Sequence, residues 1–295
     1  MLVFLLKTIA WVIQRLSWSA CEKFAQFLAW LLFDLIKIRR DVVERNLKFC
    51  FGKEKTQEQL TILARNTYRH FALLLLELMR LPKIKMEEQR PFFNVYGEEI
   101  FRREVAKGKG IVFSTGHFGN WEIAGTIMAL QKYDCYAYAR PLHNRKVDSW
   151  LNNIRKAHGL QIISSKYSIR PVVNALKEGK LVAFVVDQSA STNSIELPFF
   201  GHPARCFEGP AFCAYKSGAP VIPCYFIRRD GQYYDIHIEE PLYPNQEAPE
   251  REEILRLTKF MQESLQQRIR EYPDQYFWFH RRWGKPGPPL PETHP

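Results

Sequence analysis

The residues best suited to move a proton in this 295-residue chain are His117 and Glu122, five positions apart. An imidazole can take a proton at one nitrogen while a carboxylate on the other fixes its tautomer and stabilises its cation. In one continuous helix the two would stand roughly 140° apart, so they meet only if His117 lies in a turn and Glu122 in the first turns of the following helix. The neighbouring residues favour that arrangement. Gly110–Thr115 is a short apolar, β-branched run of strand type, and Gly116 and Gly119 flank the histidine, letting backbone and ligand approach closely. A second pair, His143 and Asp148, has the same spacing but follows Pro141 in a basic stretch that reads as a loop entering a helix. Asp187 ends the apolar run Leu181–Val186 and is either a cap on the next turn or a site residue. Arg140 and Arg155 are either ordinary surface cations or groups that bind a charged substrate.

Other chemistries are poorly served. There is no GxSxG, and no cysteine stands near His117 in sequence, so a covalent acyl-enzyme is disfavoured. HExxH and zinc-ligand spacings are absent, and neither a metal nor an organic cofactor is expected.

The elements that must position these groups read as α/β. Strand-like runs lie at Phe92–Tyr96, Gly110–Thr115, Cys135–Ala139, Leu160–Ile163, Leu181–Val186, Val221–Ile227 and Tyr233–Ile238. Helical patterns fill most of the gaps, at Glu98–Lys107, Trp121–Gln131, Lys146–His158, Ser168–Lys177 and Phe207–Ser217, with a last helix over about Arg251–Arg270. Such alternation predicts a mixed, largely parallel sheet flanked by helices, with Val221–Ile227 and Tyr233–Ile238 as an antiparallel hairpin. Thr56 and Gln59 form a capping-box pattern opening a helix that ends before Pro82. If the runs ending at Thr115, Ala139 and Val186 are neighbouring parallel strands, His117, Arg140 and Asp187 share one rim, and Arg155 reaches it from the following helix.

Residues 1–36 are strongly apolar but interrupted by Lys7, Arg15, Glu22, Lys23 and Asp34. Their longest charge-free stretch, Phe24–Phe33, falls well short of the ~20 residues that span a bilayer. On a helical wheel Lys7, Trp11, Arg15, Trp18 and Glu22 make one stripe, the pattern of an interfacial helix. The expected organisation is a membrane-anchoring helical segment over 1–38, one domain over 39–285 and a loose Pro-rich tail over 286–295.

Six segments in register resemble the bacterial lipid A late acyltransferases, the lauroyl/myristoyl transferase family. His117–Glu122 resembles its HxxxxE signature, and Arg39–Leu47 its arginine-rich segment ending in "RNL". Tyr138-Ala139-Arg140-Pro141 is similar to "YRP", with Ala139 intervening, and Asp187-Gln188 to a strand-terminal "DQ" or "DH". Pro198–Ala204 resembles "FFGxPA" and Gln275–Arg282 "QYxWxHRR". The resemblance implies an acyltransferase in which His117 is the base and Glu122 its partner. Arg140, Arg155, Asp187, Gln188, Gly119 and Asn120 would bind substrate. An acyl carrier protein would be the donor, a lipid A precursor the acceptor, and the cytoplasmic face of the inner membrane the location. The amides opening the helix after His117 would hold the oxyanion. Two alternatives stay open. One is an acyltransferase for another membrane lipid; the "PEG"-type block of the glycerol-phosphate group is not found after Asp187. The other is a non-catalytic docking homologue, because Ser189 replaces the second acid of "DQD".

The net charge of +11 favours an acidic partner, such as the carrier protein or anionic inner-membrane lipids. The basic residues are scattered and no nucleic-acid-binding signature appears, so nucleic acid is not an expected partner. Six cysteines show no CxxC pairing and read as reduced core thiols.

Overall fold

The apolar runs become strands of one sheet. The computed structural model describes residues 2–83, 92–130, 133–165, 168–189 and 193–284; the Pro-rich stretch 286–295 lies outside them. The strands are β1 (Phe93–Tyr96), β2 (Ile111–Thr115), β3 (Cys135–Ala139), β4 (Gln161–Ser164), β5 (Leu181–Val185), β6 (Ser194–Phe199), β7 (His202–Phe207), β8 (Val221–Arg228) and β9 (Tyr234–Ile238). Seven form a mixed sheet in the order β1-β9-β8-β2-β5-β3-β4. All neighbours pair parallel except β8 and β9, the expected hairpin. At its centre every residue of β2 is buried, as a parallel strand covered on both faces requires.

The helices between them are α5 (Glu98–Ala106), α6 (Trp121–Leu130), α7 (Arg145–Lys156), α8 (Arg170–Lys177), α9 (Gly209–Ser217) and α10 (Glu250–Glu271). Successive residues of a strand face opposite ways, and the two cores follow that alternation. Val112, Val182 and Val221 pack against Leu176 of α8, Ala211 of α9 and Leu257, Met261 and Leu265 of α10. Ile111, Phe113 and Ile222 pack on the other side against Phe101 of α5, Ile123 of α6 and Ile154 of α7.

Two expectations need correction. The hairpin β6–β7 was not anticipated, because Pro198 and Pro203 face each other across it and proline argues against a strand. Isolation from the main sheet removes the objection, since a two-stranded ribbon needs few of their amides. The stripe on residues 1–36 is also broken. Two helices, α1 (Leu2–Ile13) and α2 (Trp18–Trp30), replace a single one, because the Ser17 hydroxyl accepts from Ala20 N at 3.3 Å and starts a new helix. A π turn at Leu31–Leu35 follows, then α3 (Arg40–Phe51).

The long helix α4 (Gln57–Arg80) opens with the expected capping box, Gln59 N to Thr56 Oγ1 and Thr56 N to Gln59 Oε1. It is the platform for the amino-terminal pair. Ile13, Cys21 and Ala25 bury against its Ala72, Leu73 and Leu76, and Arg80 donates to the Ile13 and Leu16 carbonyls at 3.1 and 2.6 Å, closing the end of α1. No described helix is long and apolar enough to cross a membrane.

Candidate active site

Register decides what His117 meets. β2 and β5 are parallel neighbours with Thr115 opposite Val185, so the chain leaves both strands at the same level and side by side. Two residues past each strand stand His117 and Asp187. Asp187 Oδ1 accepts from His117 Nδ1 at 2.8 Å and from the His117 backbone amide at 3.0 Å. The expected partner Glu122 is elsewhere. It sits in the first turn of α6 facing α7, where Arg155 takes it with two bonds, Nε to Oε2 at 2.8 Å and Nη2 to Oε1 at 2.6 Å. The carboxylate on Nδ1 is therefore the one adjacent across the sheet, not the one adjacent in sequence.

Electrostatics fix the protonation states. Burial alone would raise the Asp187 carboxyl, but the His117 charge and the two His117 N–H bonds outweigh it and lower its pKa to about 2, with Arg282 adding to the effect. Burial likewise works against a charged His117, yet the Asp187 charge and hydrogen bond, with the Glu122 charge behind them, raise its pKa above 6.5. An ionised Asp187 makes Nδ1 the protonated nitrogen and leaves the Nε2 lone pair as the basic site. The exposed Gln188 carboxamide donates to that lone pair at 3.3 Å.

The turn holding His117 is pinned from behind. Gly119 has φ +57°, and a Cβ there would lie 1.9 Å from the Phe226 carbonyl oxygen, so only glycine fits. Its amide donates to the Gln275 carbonyl at 3.0 Å, and its carbonyl accepts from His70 Nε2 at 3.1 Å. Burial and the nearby Arg228 lower His70 to about 3, so this imidazole is a neutral donor. Asn120 is wholly buried: its Oδ1 caps α6 through Ile123 N, and its Nδ2 donates to Glu77 Oε2 at 2.7 Å. Glu77, on α4, also takes both Arg228 terminal nitrogens and the Tyr234 hydroxyl. Gly119 and Asn120, expected to touch substrate, are thus part of the scaffold. The Gly119 and Asn120 amides, just ahead of the helix whose opening amides were expected to hold the oxyanion, are spent on Gln275 and Phe226 carbonyls.

The segment 275–282 completes the cradle, and sequence reasoning gave none of its residues a role. Gln275 clamps Arg228 through backbone N and O at 2.9 and 2.7 Å. Burial, with the Asp187 carboxylate beside it, raises the Tyr276 phenol well above its ordinary value. Phe277 and Trp121 pack their rings on His117 at centroid distances of 5.8 and 5.1 Å. His280 Nε2 accepts from Ser189 N at 3.2 Å, and burial lowers this imidazole below 6.5, consistent with an acceptor. The usable signal was the cluster of aromatic and basic residues around His280 after a long helix.

Arg140 follows β3 on the same rim, exposed and with no hydrogen bond or ion pair to another described residue. His143 and Asp148 do not meet; His143 is exposed and Asp148 Oδ1 accepts from Leu142 N. Among the described residues no group of His, Cys, Asp and Glu could hold a metal ion. The cysteines are free, and all but the half-buried Cys50 are buried. What this arrangement can do is withdraw a proton: a neutral imidazole, backed by a buried anion, points its lone pair at an accessible rim.

Comparisons with known proteins show what the chain is similar to. The sequence model of the family described as "Bacterial lipid A biosynthesis acyltransferase" matches residues 1–285. The chain is 25% identical over 253 residues to the lipid A biosynthesis palmitoleoyltransferase of Escherichia coli, covering 84% of this chain and 79% of that one. It is 24% identical over 278 residues to the lipid A biosynthesis lauroyltransferase of the same organism, covering 93% and 89%. Similarity extends to a phosphatidylinositol mannoside acyltransferase of Mycobacterium tuberculosis, 23% identical over 215 residues, covering 70% and 66%.

Proposed function

We propose, for a chain that belongs to the bacterial lipid A biosynthesis acyltransferase family and is an acyltransferase, that it moves a fatty acyl chain from an acyl carrier protein thioester to a hydroxyl of a lipid A precursor. His117 Nε2 takes the acceptor's hydroxyl proton, and the oxygen attacks the thioester carbonyl directly. The tetrahedral intermediate expels the carrier thiolate, which recovers the proton from the imidazolium. Asp187 holds the tautomer and stabilises the cation; Glu122 adds its charge from beyond Arg155. The observation that carries this reading is the 2.8 Å bond from His117 Nδ1 to a buried, ionised Asp187. The exposed Arg140 suits a phosphate of either substrate, and the +11 charge suits an acidic carrier.

Membrane docking is supported by what α1 and α2 leave uncovered. Phe4, Trp11, Phe27, Trp30, Leu35 and Ile36 are exposed beside Lys7, Arg15, Lys23 and Lys37. An apolar face edged with tryptophan and cations lies in an anionic interface without spanning it. On this reading the enzyme works at the cytoplasmic face of the inner membrane.

The test is mass spectrometry of a lipid A precursor incubated with purified protein and acyl-loaded carrier protein, run beside His117→Ala. A gain of one acyl chain that the variant abolishes is the expected result. No gain with any chain length would transfer the proposal to another glycolipid, the kind of acceptor named for the mycobacterial relative.

A further inference from the structure

The oxyanion formed in this reaction needs a donor, and several groups around His117 are already committed within the fold. The amides of His117, Gly119, Asn120 and Ile123 all donate inside the fold, to Asp187, Gln275, Phe226 and Asn120 respectively. The Arg155 guanidinium is committed to Glu122. The side chain of Gln188 differs from all of these. It is exposed, and its Nε2 lies 3.3 Å from the His117 nitrogen that must take the acceptor's proton.

We propose that Gln188 is a catalytic residue whose carboxamide N–H donates to the thioester oxygen as that oxygen becomes an oxyanion. The inference rests on the acyl-transfer reading above. In the resting enzyme the carboxamide occupies the Nε2 lone pair. An acceptor hydroxyl that donates to the same lone pair displaces it. The carbon under attack is bonded to the acceptor oxygen, so the carbonyl oxygen arises beside the place the amide has left. The proton passes from the acceptor to Nε2, the C–O bond forms, and the carbonyl electron pair moves onto oxygen, where the Gln188 N–H meets it. Collapse restores the carbonyl, breaks the C–S bond and sends the Nε2 proton to the leaving thiolate.

The backbone around Gln188 is set for this task. Asp187 before it is buried and bound to His117; Ser189 after it donates to His280 Nε2 at 3.2 Å. Both flanks are fixed while the side chain between them stays accessible. A donor of this kind needs a rigid base and a short, free reach.

The experiment compares wild type with Gln188→Met, which keeps length and loses the donor, and Gln188→His, which keeps an N–H. Steady-state kcat and KM are measured against pH with the acyl-loaded carrier protein that wild type turns over fastest. Because the side chain is exposed, both variants should melt with wild type. The expected result is a kcat lower by about 10²–10³-fold in Gln188→Met at every pH, with KM nearly unchanged and partial recovery in Gln188→His. Two results would overturn the proposal: a Gln188→Met kcat within a few-fold of wild type, or a loss confined to low pH with the acid limb displaced upward. The second would mean that Gln188 only favours the neutral imidazole. Inactivity of wild type itself would instead sink the acyl-transfer reading.

Discussion

Asp187 Oδ1 is shared by two N–H groups of one residue, the ring and the backbone of His117. The carboxylate therefore orients both the imidazole and the turn that carries it, and neither can rotate without losing a charge-assisted bond.

Asp187→Asn should lower the plateau rate by about 10²–10⁴-fold. It should also move the pH profile in a stated direction. On the proposed mechanism His117 works when neutral, and its pKa is raised above 6.5, so wild-type activity should rise with pH through a midpoint above 6.5. Removing the Asp187 charge leaves burial dominant, and the midpoint should fall. A midpoint that stays in place while the rate drops would detach Asp187 from the titrating group.

Glu122 and Arg155 should behave as a pair. Their side chains are 9% and 18% exposed, so removing one leaves the other charge in a poorly solvated place. Arg155→Ala and Glu122→Gln should each lower the melting temperature, and the double variant should lose less than the sum. Additive losses in that double-mutant cycle would mean that the bidentate bond carries no coupling.

Gly119→Ala should destabilise by at least ~2 kcal/mol, because the left-handed backbone alone costs about 1–2 kcal/mol and the new methyl meets the Phe226 carbonyl. Denaturant unfolding measures this directly. Gly108, at φ +68° with nothing within 4 Å of its would-be Cβ, is the matched control, and Gly108→Ala should cost much less.

Glu77→Gln would leave the 8%-exposed Arg228 without its counter-charge, at a cost of about 3–5 kcal/mol. The loss should include activity, since Glu77 holds Asn120, the cap of the helix that presses Trp121 on His117. A stable, fully active variant would contradict the account of the buried network.

For the membrane, replacing exposed Phe4 and Trp11 by serine should weaken co-sedimentation with anionic vesicles, each ring contributing about 1.5–3 kcal/mol when buried in the interface. Unchanged binding would assign docking to another surface.

The sheet was legible because its strands are apolar runs with abrupt ends; Cys135–Ala139 matches to the residue. His117 and Asp187 were legible as strand-end polar residues. Their bond was not, since it depends on β5 lying beside β2, a fact about strand order that Glu122's nearness in sequence obscured. In sequence Glu77 is one charge within a long helix, and only the tertiary fold brings Arg228, Tyr234 and Asn120 to it. Ser17 broke the amino-terminal helix through a single local hydrogen bond that a wheel of hydrophobicity does not weigh.

The clamp made by Gln275, Tyr276 and His280 carries a consequence for biogenesis. Translation delivers His117 and Asp187 well before it delivers these three residues, so the base and its anion wait, half-assembled, on a growing chain. The last wall arrives only after α10 has cleared the ribosome. Until then the turn of His117 lacks the Gln275 carbonyl that the Gly119 amide donates to, and Ser189 lacks its His280 acceptor.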